Sequence, residues 1–297
     1  MRQKLYSFCL GVALFSNCPA QAETAFRLLV PEDVFLPVAR EIASGLDHES
    51  NLKIFPVFGD GAVLAPQVMA NYADIGAAIM PSDILAYRNS QKLDVGDALQ
   101  FVTRIASLPV LLVAHRNIAS ISDLAGKRVA TGPANSAAFA SGELIFNAAN
   151  VSFKRVPHTG ADAIKALMAG KADAALIVAA PSALSALPQG QFHFLAISAT
   201  PQLQQIYQPA LLTADEFPNL VKSDETVETV ASSLIVAVPT NAKGAAFATF
   251  EKELLNFERR SGGTNLAAEV PGWQRASGVA ELIKQPKLNI QPTGGTP

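Results

Sequence analysis

The chain has 297 residues, nearly half of them apolar, and a formal charge of −2. That length suits about two domains with a sizeable buried core. The mildly acidic balance gives no ground for a nucleic-acid or anionic-membrane partner.

The N-terminus reads as an export signal. Arg2 and Lys4 precede an apolar run from Leu5 to Phe15, and Ala20-Gln21-Ala22 puts small residues where a signal peptidase cuts. Cleavage is expected after Ala22. Losing Arg2 and Lys4 then takes the charge from −2 to −4. The apolar run is too short for a permanent membrane span. A second reading places a lipid on Cys18, although Asn17 and Phe15 stand where lipoprotein sites use a small and an aliphatic residue. Cys9 and Cys18 are the only cysteines, and both lie in the removed segment. A mature chain without disulfides or cysteine-based metal sites is therefore expected, in the periplasm.

After the leader, short apolar strands alternate with helical patterns. Phe26 to Val30 reads as a strand, and Phe35, Val38, Ile42 and Leu46 then recur at helical spacing. Leu52 to Phe58 is a strand ended by Gly59-Asp60-Gly61. A short helix leads to Asn71, and Asp74 to Met80 is a buried strand. This rhythm predicts mixed or parallel sheets with helices on both faces.

The rhythm restarts at Lys127 to Thr131, a strand followed by Gly132-Pro133 and a helix from about Asn135 to Ala149. Phe153 to Val156, a helix over Ala161 to Ala169, and a strand over Asp173 to Ala179 complete the passage. Ala73-Asp74 before one strand and Ala172-Asp173 before another echo each other, as do Pro81-Ser82 and Pro181-Ser182 after them. The echo fits two lobes of like construction, or simply a common way to open a strand.

Two continuous apolar runs, Leu108 to Ala114 and Leu234 to Pro239, bracket the second passage. Side by side, they would be the two crossings between lobes. The expected division is a signal peptide over 1–22, lobe I over 23–107 and 235–285, lobe II over 108–234, and a disordered tail over 286–297. Helix Lys243 to Arg259, with Phe247, Phe250, Leu254 and Phe257 on one face, is expected to pack back on lobe I.

Enzymatic patterns are weak. His48, His115, His158 and His193 show no metal-ligand spacing, and there is no nucleophile elbow, phosphate loop or dinucleotide fingerprint. No catalytic residue, metal or cofactor is expected. The informative stretch is 123–144, DLAGKRVATGPANSAAFASGEL. Its helix start offers free backbone N–H groups and a positive dipole end, where a carboxylate or phosphate can sit. Asn135 and Ser136 are equally ordinary helix caps.

This stretch resembles the second-lobe entry of the TAXI family, the solute-binding subunits of TRAP transporters, and more broadly that of type II periplasmic binding proteins. The matching positions are Asp123, Leu124, Gly126, Lys127, Val129, Gly132, Pro133 and Ser136, followed by Ala166 to Ala174 and the Ala180-Pro181 turn. The resemblance implies a two-lobed α/β fold with mixed sheets, flanking helices and two hinge crossings, closing over a ligand. Two departures stand out. Gly59-Asp60-Gly61-Ala62 replaces a Gly-Ser turn, and Val30-Pro31-Glu32-Asp33 replaces a Gly-rich ligand turn. Both count against an acidic ligand. Glu32, Asp33 and Asp60 could receive a cation or hydroxyls, or be solvated turn residues.

Strand ends are where open α/β sheets place ligands. The expected contacts are therefore Asn135, Ser136, Ala137, Ala180 and Pro181 from lobe II, and Asp60, Gly61, Ala62, Ser82 and Asp83 from lobe I. The expected function is capture of a small organic acid or other polar solute by a monomer that serves a TRAP-type membrane permease. The alternative is a periplasmic sensor, accessory protein or enzyme on the same scaffold.

Overall fold

The computed structural model describes residues 24–47, 52–93, 99–179, 182–260 and 268–284. The expected leader, His48, the Ala180-Pro181 turn and the C-terminal tail lie outside them.

Three strands open the fold: β1 (Thr24–Val30), β2 (Leu52–Phe58) and β3 (Ile75–Pro81). β1 pairs in parallel with both of the others. The crossovers run through α1 (Leu36–Asp47) and α2 (Ala65–Asn71). Helix α1 buries Ala39, Ile42 and Leu46, the stripe that its 3.6-residue periodicity creates. β3 is buried along its whole length, as its unbroken apolar run requires. Helix α3 (Asp83–Ser90) follows directly.

The second group comprises β5 (Arg128–Ala130), α4 (Ala137–Ala148), β6 (Lys154–Val156), α5 (Gly160–Met168) and β7 (Ala174–Val178). β5 is parallel to β6 and β7. Two long strands join the groups: β4 (Leu99–His115) and β10 (Thr226–Pro239). Short strands β8 (Phe192–Phe194) and β9 (Gln208–Thr213) attach to β4 and β10. Among the described residues the sheet order is β2-β1-β3-β10-β4-β7-β5-β6.

The two apolar runs meet, but in a staggered way. β10 pairs antiparallel with β4 from Ala231↔Pro109 to Pro239↔Leu99. Beyond Pro109, β4 turns to β7, with Val110 opposite Val178. Leu108 to Ala114 therefore serves largely the second group and Leu234 to Pro239 the first. The crossing point lies between them, at Ser107–Pro109 and Ala231–Ser233. The first half of β4, Leu99 to Ala106, is a strand that apolarity did not announce, because Gln100 and Arg104 interrupt it.

Helix α7 (Ala245–Arg260) packs back on the first group as expected. Phe250 stacks on Phe26 of β1 with ring centroids 4.2 Å apart. Phe257 presses on Gly45 of α1 so closely that a Cβ there would lie 2.4 Å from the ring. The echo between the two passages also has a physical content. Asp74, just before β3, pairs with Arg27 of β1, and Asp173, just before β7, pairs with Arg128 of β5 at 2.7 Å. Each aspartate ties a strand entrance to its parallel neighbour. No described helix is long and apolar enough to cross a membrane.

Candidate functional site

β1 and β2 leave the sheet side by side and their exits are stitched together. The N–H of Gly59 donates to the Val30 carbonyl at 3.1 Å, and that of Gly61 to the Pro31 carbonyl at 2.9 Å. Gly61 sits at φ +115°, a conformation that favours glycine. A Cβ on Gly61 would also meet the Asn135 carbonyl oxygen at 2.4 Å. A short 3-10 turn, Ala62–Leu64, follows.

Across from it, β5 ends at Gly132-Pro133 and α4 begins. Ser136 is the N-cap. Its Oγ accepts from the Phe139 N–H at 3.2 Å and donates to the Pro133 carbonyl at 2.9 Å. Its one donor and one of its two acceptor positions are used inside the chain, and Ser136 is only 3% exposed. The capping role that Ser136 shares with many serines is thus its visible role.

The two strand exits touch. The Asn135 carbonyl accepts from the Val63 N–H at 2.9 Å, and the Asn135 side chain donates to the Asp60 carbonyl. A carboxylate completes the contact. Glu32 Oε1 accepts from the N–H of Ala137, first residue of α4, at 2.6 Å, and from the N–H of Ala62 at 3.2 Å. Two short backbone segments from opposite groups thus share one oxygen. An anion at a helix N-terminus gains from the free N–H groups and the dipole. Burial nonetheless pushes the Glu32 carboxyl above its usual range. The two N–H groups pull it down, and the nearby Asp83 charge adds to the rise.

Beside this contact lies a cavity of about 370 Å³, lined by Glu32, Asp33, Asp60, Asn135, Ala137 and Thr159 among others. Exposed Val34 stands at its rim and Val178, at the end of β7, in its wall. Ala179 then turns at φ +64°, a strained value for alanine, just before the undescribed Ala180-Pro181 turn.

Of the expected contacts, Asp60, Gly61, Asn135, Ser136 and Ala137 come together around this cavity. Ala62 is wholly buried beside it and gives its N–H to Glu32. Ser82 and Asp83 lie apart from the lining. Ser82 Oγ accepts from the Ser233 N–H at 3.1 Å, which knits the end of β3 to β10. Asp83 is fully buried and accepts hydrogen bonds from Ser141 of α4 at 2.5 Å, Tyr207 at 2.8 Å and Ser232 of β10 at 3.0 Å. Burial raises the Asp83 carboxyl above its usual range, against the lowering effect of these hydroxyls. The carboxylate is satisfied, and it joins α3, α4 and β10.

Glu32 reads in the sequence as a receiver of a cation or hydroxyls, or as a solvated turn residue, and not as a partner of the α4 helix start; Asp33 and Thr159 of the lining are likewise not among the expected contacts. The available signal for Glu32 was its position just past the end of β1. Among the described residues no group of three or more His, Cys, Asp or Glu side chains could hold a metal ion.

Among solved structures, a protein from Bordetella bronchiseptica RB50 is similar over 80% of this chain and 71% of its own, with a TM-score of 0.51 at 14% identity. A TctC solute-binding protein from Polaromonas shares 14% identity over 81% of this chain and 89% of its own, with a TM-score of 0.49. The periplasmic aliphatic sulphonate binding protein SsuA from Escherichia coli shares 15% identity over 89% and 80%, with a TM-score of 0.48. The first of these likenesses speaks to the fold, which is the mixed α/β class that the sequence implied. No curated protein matches the chain in sequence. The model of the NMT1-like family matches residues 34–249, most of the chain, and the chain therefore belongs to the NMT1-like family.

Proposed function

We propose that this chain is a periplasmic solute-binding protein whose ligand lies in the cleft between β1–β2 and α4. The observation that supports this reading most is the cavity itself. It opens where strands from two groups end, and β4 and β10 cross between those groups. Its walls offer main-chain N–H and carbonyl groups, an amide and three carboxylates, a lining suited to hold a small polar solute.

In this reading residues 23–107 and 235–285 form one lobe and 108–234 the other. Each crossing strand acts as a hinge. Asp60, Gly61, Asn135 and Ala137 contact the solute, with Ala180-Pro181 completing the wall. The protein delivers its load to a TRAP-type permease after export and removal of residues 1–22. It performs no chemistry on the solute.

A melting-temperature screen of the mature protein against organic acids, amines, sugars and amino acids tests the proposal. One chemical class should raise the melting temperature, by an amount that grows with the logarithm of concentration. A compound that the protein converts would overturn it, as would indifference to every class. Uptake of the bound solute in cells carrying or lacking the permease separates transport from sensing.

A further inference from the structure

The Glu32 carboxylate occupies the place where a solute anion would gain most. It shares one oxygen between the Ala137 N–H at the start of α4 and the Ala62 N–H at the start of the opposing turn. The Asn135 carbonyl accepts the Val63 N–H beside it, and the Asn135 amide reaches the Asp60 carbonyl. The exits of β1–β2 and of β5 are thereby held together by the chain alone. Gly61 allows this approach, since any side chain there would strike the Asn135 backbone.

We propose that Glu32 is a tethered occupant of the anion position, which latches the cleft shut without solute and yields that position only to a competing carboxylate. The inference rests on the cleft being the binding site, and it adds which groups contend for it. A tethered carboxylate is present at high effective concentration, so a free anion must outbid it. Substitution of Glu32 should leave two N–H donors facing the cavity with no acceptor. A small carboxylate would then fill the gap.

Acetate is the probe. The full mature chain and its Glu32→Ala, Glu32→Gln and Glu32→Ala/Ala137→Pro variants are compared by melting curves in sodium acetate and in sodium chloride of equal ionic strength. Proline suits the first helical position, and Ser136 before it is already extended at ψ 159°. The double variant therefore removes the N–H donor with the helix kept.

Acetate should raise the melting temperature of Glu32→Ala by several degrees over chloride. It should do little to the parent chain and lose its effect in the double variant. Small-angle scattering should show Glu32→Ala more expanded than the parent, and compact again in acetate. An equal acetate response in parent and Glu32→Ala, or an unchanged radius of gyration, would overturn the latch. Should Glu32→Ala not fold, Ala137→Pro alone must show the expansion, or the proposal fails. Neither arm needs the natural solute. A solute screen without a hit would therefore sink the binding function and leave the latch standing, whereas a hit with an acetate-indifferent Glu32→Ala would do the reverse.

Discussion

Glu32 and Asp83 both follow strand ends in the first part of the chain, and their surroundings differ in one decisive way. Glu32 reaches two backbone N–H groups at the edge of an open cavity. Asp83 is sealed, with hydroxyls of Ser141, Tyr207 and Ser232 around it. The partners of Glu32 are main-chain N–H groups that any small acceptor can satisfy, so another carboxylate can replace it. The partners of Asp83 are buried side chains that no solvent reaches. The same residue chemistry therefore gives an exchangeable contact at the mouth and a permanent one at the seam. The proposed hinge closure would use both: a seam that keeps α3, α4 and β10 in register, and a mouth that can let go.

Removing each carboxylate tests this contrast most strongly. Asp83→Ala leaves three buried hydroxyls without their acceptor and should cost about 3 kcal/mol in urea unfolding. Glu32→Ala should cost less, about 1 kcal/mol, because two N–H groups rather than three hydroxyls lose their acceptor and the removed side chain opens onto the cavity. Equal costs would mean that the mouth is as permanent as the seam.

Gly61→Ala attacks the mouth from the backbone. The added methyl meets the Asn135 carbonyl oxygen at 2.4 Å, and alanine is strained at φ +115°. A loss of about 2 kcal/mol is expected, with an expanded scattering profile and intact helical circular dichroism. Global unfolding instead would show that the turn at Asp60–Ala62 supports the core and not only the cleft.

Ser136→Ala separates cap from contact. Loss of the hydroxyl frees the Phe139 N–H and should cost about 1 kcal/mol. Because the hydroxyl proton is committed to the Pro133 carbonyl and the side chain is buried, titration of any solute found in the screen should give nearly the parent affinity. A tenfold loss would mean that the hydroxyl turns to the solute on binding.

Much of this was legible in the sequence. Apolar runs such as Ile75–Pro81 and Ala174–Val178 announce strands that are buried on both faces, and the spacing of Phe250 and Leu254 announces the packed side of α7. Short edge strands β8 and β9 were not, since a few residues at a sheet margin carry little periodic signal. Helix α3 was also silent, because its apolar and polar residues share no clear stripe. At the site, Gly132 to Ala137 could be seen as a helix start, but its counter-charge could not. Glu32 lies 105 residues earlier, and only folding makes it a neighbour. Asp83 reads in the sequence as a polar ligand contact after a strand. Its burial depends on hydroxyls at 141, 207 and 232 converging, which no local pattern encodes.

Acidity offers the finest distinction between the two carboxylates. Each has a folded-state carboxyl raised by burial, so the folded chain holds the proton more tightly than the unfolded one does. The stability that this provides is complete below the unfolded value near pH 4 and is lost as pH climbs through the raised folded value. Relative to Asp83→Asn, the parent should therefore gain stability as pH falls from 8 to 5. Relative to Glu32→Gln the sign is the same, but the slope should be smaller. Glu32 keeps two N–H donors that favour its ionised form and a solvent-facing cavity, whereas Asp83 has only hydroxyls and its own N–H, with Tyr207 pressed against it. Urea unfolding of the three proteins across that range reads both slopes. A steeper slope for Glu32→Gln would reverse the assignment of mouth and seam.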